Sequence, residues 1–163
     1  MVKGIKYKQS GIVWVVSVLL FALLPISLQA DALRRGERQI EKDIFRLVNE
    51  YREEQGLPAL AYNDVLATVA QGHSSDMASG KVAFGHGGFK GRFDAIKQQV
   101  SGIRSGAENV AYGAEDAEQV VALWLRSAGH KKNIVGDFTH TGISVVSNDD
   151  GTLYFTQLFA KIE

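Results

Sequence analysis

The C-terminal segment constrains the fold most, because two largely apolar stretches flank a short polar turn. Residues 141–147 and 152–160 surround Asn148-Asp149-Asp150-Gly151, a sequence typical of a β-hairpin. The second stretch is apolar on both sides: Leu153, Phe155 and Phe159 point one way, Tyr154 and Leu158 the other. A strand with two apolar faces must be covered on both sides. We therefore predict an α+β fold, a three-layer α-β-α sandwich with a small antiparallel sheet covered by helices on both faces.

Apolar residues at helical spacing predict the helices of this sandwich. Residues 37–55 carry such a stripe, and Gly56-Leu57-Pro58 ends it. A second helix starts with Asn63 or Asp64 as its cap and stops near Gly80. Residues 81–91 are rich in glycine and indicate a loop.

The middle of the chain is patterned less strongly. Residues 92–100 are expected to form a short third helix, and a short strand is expected between Gly106 and Gly113. Asp116 is placed to cap a further helix, which we expect Gly129 to terminate. Gln157, the polar residue on the phenylalanine side of the last strand, is expected to be hydrogen-bonded inside the protein.

The first 30 residues have the pattern of an export signal. Three lysines precede an apolar run from Ile12 to Leu24, and small residues allow cleavage after Ala30 or Ala32. The alternative is an uncleaved N-terminal membrane anchor, although the run is short for a span of about 20 residues. We expect a secreted or periplasmic protein with a flexible segment over residues 31–38 and one domain over residues 39–163.

Composition narrows the function classes. The chain has no cysteine, so a disulfide framework is excluded and a metal site would need nitrogen and oxygen ligands. The signal holds three of the 18 basic residues and none of the 18 acidic ones, so the chain from Asp31 has a formal charge of −3. Without a basic block, nucleic-acid binding is disfavoured. We expect a monomer.

Polar residues at the edges of predicted elements mark a candidate site. His86 lies in the glycine-rich loop, Glu108 in the short strand and His130 just past a predicted helix end, where the helix dipole would favour its protonated form. A buried Glu108 needs a partner, and a histidine is the preferred one; the alternative is that its carboxylate accepts backbone N–H bonds. His130 can cap the helix, join the site, or do both.

Six segments in order resemble the CAP superfamily, the cysteine-rich secretory, antigen 5 and pathogenesis-related proteins (SCP domain), and its short cysteine-free bacterial branch most of all. The segments are Leu47 to Arg52, Ala70 to Met77, Phe84-Gly85-His86, Glu108 to Ala111, Trp124 to Ile134 and Tyr154 to Phe159. The resemblance covers residues 40–162. It implies an α-β-α sandwich with a polar cleft.

The resemblance also bears on single residues. Eukaryotic members hold two histidines and two glutamates that can bind a divalent cation, and His86 and Glu108 match the first of each. The position of the second glutamate is Ser127 here, and the position of the second histidine is Asp137. The bacterial branch is similar to this chain in having Ser127 and His130 after the tryptophan.

The remaining candidates have structural interpretations. His73 lies on a helical face with apolar neighbours and is expected in the core, and His140 is expected to be an ordinary surface residue. Ser127 lacks the glycine-framed turn of a hydrolase nucleophile, so a helix-terminal hydroxyl is preferred. Asn109 and Asn133 are expected to bond to backbone around the cleft.

Two functions follow. In the preferred one the protein is a non-enzymatic binding module, whose cleft of His86, Glu108, His130 and Ser127 recognises a peptide, glycan or lipid-like ligand, with or without a divalent cation. His86, Glu108 and His130 together have the composition of an open zinc site, in which a divalent cation such as zinc would hold a water molecule. The alternative is therefore a metal-dependent hydrolase acting on peptides or cell-envelope polymers.

Overall fold

A computed structural model describes residues 25–163. The chain divides into two units at the boundary between Arg35 and Gly36, and residues 36–163 form the larger, compact unit. The lysines and the apolar run of the predicted export signal lie outside the described residues. Within the described part of the chain, no helix combines the length and the apolar character that crossing a membrane requires.

The described residues form five helices and four strands. The helices are α1 (Ile26–Glu54, which begins in the first unit), α2 (Asp64–Ala78), α3 (Phe89–Gln99), α4 (Ala117–Arg126) and α5 (Ala128–Ile134). The strands are β1 (Ala61–Tyr62), β2 (Ile103–Tyr112), β3 (His140–Ser147) and β4 (Leu153–Ile162).

The strands form one sheet in the order β1-β3-β4-β2. β4 pairs antiparallel with both β3 and β2, as the predicted hairpin requires, while the two-residue β1 pairs parallel with β3 and makes the sheet mixed. In this register Glu108 lies opposite Leu158 and Asn109 opposite Gln157. Glu108 and Asn109 therefore belong to opposite faces of β2, an edge strand.

Two apolar clusters confirm the three layers. One face of the sheet packs Phe155 and Phe159 against α1, α4 and α5, with Trp124 and Ile44 among the buried residues. The other face packs its apolar residues against α2 and α3: Leu158 and Ala160 with Leu66, Ala70, Phe93 and Ile96. The alternation along β4 that predicted two covered faces is thus the alternation between the two clusters.

Most local predictions are confirmed. The Asn63 side chain caps α2 by accepting from the backbone N–H groups of Val65 and Leu66, and Asp116 caps α4 by accepting from Gln119. Gln157 is buried, and its Nε2 donates to Thr141 Oγ1 at 3.2 Å.

Residues 31–38, expected to be a flexible segment, lie within α1. Two expectations were wrong. β2 runs from Ile103 rather than starting after Gly106. Gly129 does not end a helix: α4 ends at Arg126, and α5 begins at Ala128 with Gly129 in its first turn.

Candidate functional site

The site is built around the buried carboxylate of Glu108 on the edge strand β2. Its side chain is only 1% exposed and faces the layer formed by α2 and α3. Burying a charged carboxylate is costly unless it is paired and hydrogen-bonded. The structure supplies both a histidine and an arginine as partners.

Arg92 of α3 is the principal partner of Glu108. Its Nε donates to Oε2 at 3.0 Å, and its Nη2 donates to Oε1 and Oε2, both at 2.8 Å. The remaining nitrogen, Nη1, donates to the carbonyl of Gly87 at 2.7 Å. This forked geometry is the strong form of a carboxylate–guanidinium pair. It compensates the buried charge and ties the loop of residues 81–88 to α3.

His86 completes the shell around Glu108, as predicted. Its Nδ1 lies 3.0 Å from Glu108 Oε1. An ionised carboxylate only accepts hydrogen bonds, so the proton on this contact belongs to Nδ1. The other ring nitrogen, Nε2, is then the atom that a ligand would meet, and the side chain is 53% exposed. When the ring is neutral, Nε2 is a hydrogen-bond acceptor.

His130 approaches from α5, on the other side of the edge strand. Its ring centroid lies 6.5 Å from that of His86. Asn109 Nδ2 donates to the carbonyl of His130 at 3.2 Å, and Asn133 Nδ2 donates to Asn109 Oδ1 and to the carbonyl of Glu108. The two asparagines therefore bond to backbone around the cleft, as predicted, and hold α5 against β2.

The protonation expected for His130 was wrong. Burial and the nearby His86 ring lower the pKa of His130 below its usual 6.5. The residue is the third of a new helix rather than the residue after a helix end, so it has no helix C-terminus to stabilise a cation. His130 is therefore neutral at pH 7.

His73 is the core histidine that the sequence indicated, but its position also supports the site. It is 3% exposed in α2, and its ring Nε2 lies 2.9 Å from the carbonyl of Gly85, next to His86. Burial, which outweighs the hydrogen bond to Gly85, lowers the pKa of His73. The neutral ring donates this hydrogen bond and so anchors the loop of residues 81–88 to α2.

The residues of the predicted zinc site lie near one another but are not arranged as ligands of one metal ion. Among residues 25–163, no group of three His, Asp or Glu side chains is arranged to hold a metal ion. The physical reason lies in Arg92, which bonds both oxygens of Glu108 and places a positive charge against the carboxylate that would serve as a ligand. The expected set of His86, Glu108 and His130 does come together, but as two imidazoles beside an ion pair.

Ser127 lies at the junction of α4 and α5 and is partly buried. Its side chain makes no capping bond, and none of the hydrogen bonds that the structure gives His86 involves it. Ser127 therefore lies at a helix terminus, as expected, and no hydrogen bond in the described residues joins its hydroxyl to a histidine.

Sequence reasoning missed Arg92. The available signal was the demand for a counter-charge: a buried Glu108 needs a cation, and a forked partner for a carboxylate is best supplied by arginine. Arg92 follows the histidine loop directly, in the helix whose pattern was weakest.

The comparisons agree with this fold. A sequence model of the cysteine-rich secretory protein (CAP) family matches residues 45–159. An uncharacterized protein of Bacillus subtilis, YkwD, is 34% identical over 124 residues, which are 74% of this chain and 47% of that protein. The uncharacterized membrane protein YlbC of Bacillus subtilis is 31% identical over 142 residues, 84% of this chain and 39% of its own length.

Among solved structures, an extracellular protein containing an SCP domain from Bacillus anthracis has a TM-score of 0.68 and 32% identity. The match covers 80% of this chain and 43% of that one. This chain thus spans less than half the length of the two Bacillus subtilis relatives.

Proposed function

Since the chain belongs to the cysteine-rich secretory protein (CAP) family, we propose that it is a non-enzymatic binding module whose cleft at His86, Glu108 and His130 recognises a peptide, glycan or lipid-like ligand. The observation that carries the proposal is the engagement of Glu108 with Arg92 and His86. A carboxylate held in this way orients the imidazole of His86 through a hydrogen bond. It is poorly placed to act as a metal ligand or a general base.

The groups left for a ligand are imidazole nitrogens. Nε2 of His86 and the ring of His130 take part in none of the hydrogen bonds that the structure gives these residues, and the two ring centroids lie 6.5 Å apart with the ring planes tilted by 53°. A pair of imidazoles at this separation can hold a hydroxyl or amide group by hydrogen bonds. Their positions are fixed before binding by His73, Arg92 and Asn109, and such preorganisation lowers the entropic cost of binding.

The hydrolase alternative has less support. It would need three ligands and an activated water molecule. Here the only carboxylate in the set already compensates a guanidinium, so two imidazoles remain. No bond in the described residues links Ser127 to a histidine that could activate it.

Ligand screening on the purified protein tests the proposal. The panel contains neutral oligosaccharides, short peptides and a lysophospholipid, and binding is followed by amide chemical shifts in NMR spectra. We expect saturable binding that moves the signals of residues around His86 and His130, and at least a tenfold loss of affinity in His86→Ala. His140→Ala is the matched control, because His140 lies at the start of β3 and bonds to Thr139.

Unchanged binding in His86→Ala would overturn the proposal. Native mass spectrometry with added zinc tests the alternative. One equivalent of zinc that disappears in His86→Ala, together with zinc-dependent turnover of a panel member, would restore the hydrolase.

We also propose that the protein acts outside the cytoplasm, exported by its N-terminal segment with cleavage after Ala30 or Ala32. The N-terminal pattern of lysines and apolar residues supports this. One similar protein is named extracellular and another a membrane protein. N-terminal sequencing of the protein from culture medium and from membranes tests it, because an intact Met1 in the membrane fraction would identify an anchor instead.

A further inference from the structure

A cluster of two exposed aromatic rings and one partly buried ring lies beside the candidate cleft. Phe84 and Tyr112 are 47% and 55% exposed, and their ring centroids are 4.7 Å apart at an interplanar angle of 63°. The Tyr112 ring also stacks on Tyr154, at 5.7 Å and 19°. We call Phe84, Tyr112 and Tyr154 the aromatic strip.

The strip is connected to the cleft through two backbone segments. Phe84 precedes His86 by two residues in the same loop, and Tyr112 follows Glu108 by four residues on the same face of β2. At the rise of a strand, four residues span about 13 Å. His86 and the strip therefore border one stretch of β2 of roughly that length, and the ring centroid of His130 lies 6.5 Å from that of His86.

The loop that carries Phe84 is anchored at two carbonyl groups. Nε2 of His73 bonds to the carbonyl of Gly85, and Nη1 of Arg92 bonds to that of Gly87. Both Tyr112 and Tyr154 are held in the register of the β2–β4 pair. Single exposed apolar residues are common on protein surfaces, whereas contiguous exposed apolar surface marks binding sites, and tyrosine is enriched at interfaces.

The charges of the cleft select the kind of ligand. Arg92 cancels Glu108, so the pair offers no net charge to a ligand. The strip and the two histidines offer a ligand ring faces, tyrosine hydroxyls and imidazole nitrogens. A pyranose ring matches this set, since one face presents C–H groups to the negative face of an aromatic ring while its edge presents hydroxyl groups to hydrogen-bonding nitrogens.

We propose that the aromatic strip and the two imidazoles form a subsite for a neutral oligosaccharide, with pyranose rings stacked on Phe84 and Tyr112 and hydroxyl groups bonded at His86 and His130. This proposal rests on the proposed binding function and narrows it to one class of ligand.

The test uses two neutral β-1,4-linked tetrasaccharides, of glucose and of N-acetylglucosamine, titrated into the full chain by calorimetry. We expect one of them to bind, with at least a tenfold loss of affinity in Tyr112→Ala and in Phe84→Ala. Tyr112→Trp keeps an aromatic face and is expected to bind within threefold of the parent. Tyr62→Ala is the matched control, because Tyr62 is 42% exposed on β1, the opposite edge of the sheet. Its affinity should stay within twofold.

The outcomes separate this proposal from the broader one. If Tyr112→Ala binds the tetrasaccharide like the parent while His86→Ala does not, the aromatic strip is not a subsite, but the proposed binding function of the cleft stands. If neither tetrasaccharide binds and an uncharged peptide binds in a His86-dependent way, the glycan proposal is overturned and the binding function stands. If a bound ligand depends on neither residue, both proposals fail.

Discussion

Removing Arg92 should destabilise the protein far more than removing an arginine from an exposed pair. The Glu108 side chain is 1% exposed and accepts three of its hydrogen bonds from Arg92. Breaking a buried ion pair by deleting one partner leaves a buried charge uncompensated and costs about 3–5 kcal/mol. We expect Arg92→Met to lower the free energy of unfolding by that amount, a fall in Tm of about 10–20 °C for a domain of this size.

The measurement is urea unfolding followed by the fluorescence of Trp124, which is 1% exposed. Arg104→Met is the matched control, because Arg104 pairs with Glu163 at the same 2.8 Å with both side chains more than half exposed. Exposed pairs contribute about 0–1 kcal/mol.

A double-mutant cycle isolates the pair itself. Glu108→Gln alone should also destabilise, because it leaves Arg92 without its counter-charge. The combination with Arg92→Met should cost less than the sum of the single changes by about 2 kcal/mol. A loss below about 1 kcal/mol in Arg92→Met, equal to that in Arg104→Met, would refute the reasoning, since Glu108 would then find other compensation.

Three further predictions concern stability. Burial lowers the pKa of His73 in the folded state, so the unfolded chain binds a proton more readily. The free energy of unfolding should therefore fall as the pH drops below about 6.5, and His73→Gln should flatten that pH dependence between pH 5 and 7. Glu37 accepts from the backbone N–H and the hydroxyl of Ser147 at 2.8 Å, so Glu37→Ala should lower the free energy of unfolding by about 1–3 kcal/mol in urea titrations. A Cβ at Gly142 would lie 2.2 Å from the backbone nitrogen of Ala67, so Gly142→Ala should lower the thermal midpoint strongly, whereas Gly72→Ala in α2, with open space around it, should raise stability by about 0.5–1 kcal/mol.

The layers of the fold could be predicted because each depends on local pattern. The alternation along β4 required two covered faces, and the stripes of α1, α2 and α4 supplied the covers. Caps such as Asn63 and Asp116 act within three residues of their own position, so sequence identifies them directly. These features need no knowledge of distant contacts.

The wrong predictions concern elements whose formation depends on contacts between residues far apart in sequence. Gly129 follows α4 like a terminator, but α5 forms because Asn109 and Asn133 hold it to β2 through bonds over more than 20 residues of sequence. β1 has only two residues and exists as a strand through its pairing with β3. Tertiary contacts of this kind override local preference and leave no local signature.

The candidate site shows the same division. A histidine partner for Glu108 could be predicted from residue type and burial, but the arginine that takes both carboxylate oxygens could not, because β2 and α3 meet only in the folded protein. Either a divalent metal or a guanidinium can compensate the charge of the carboxylate, but the two differ in the groups that stay available to a ligand. A metal keeps coordination positions open for water or a ligand. In Arg92, Nε, Nη1 and Nη2 all donate within the protein, so the proposed binding function assigns recognition to the two imidazoles and the aromatic strip.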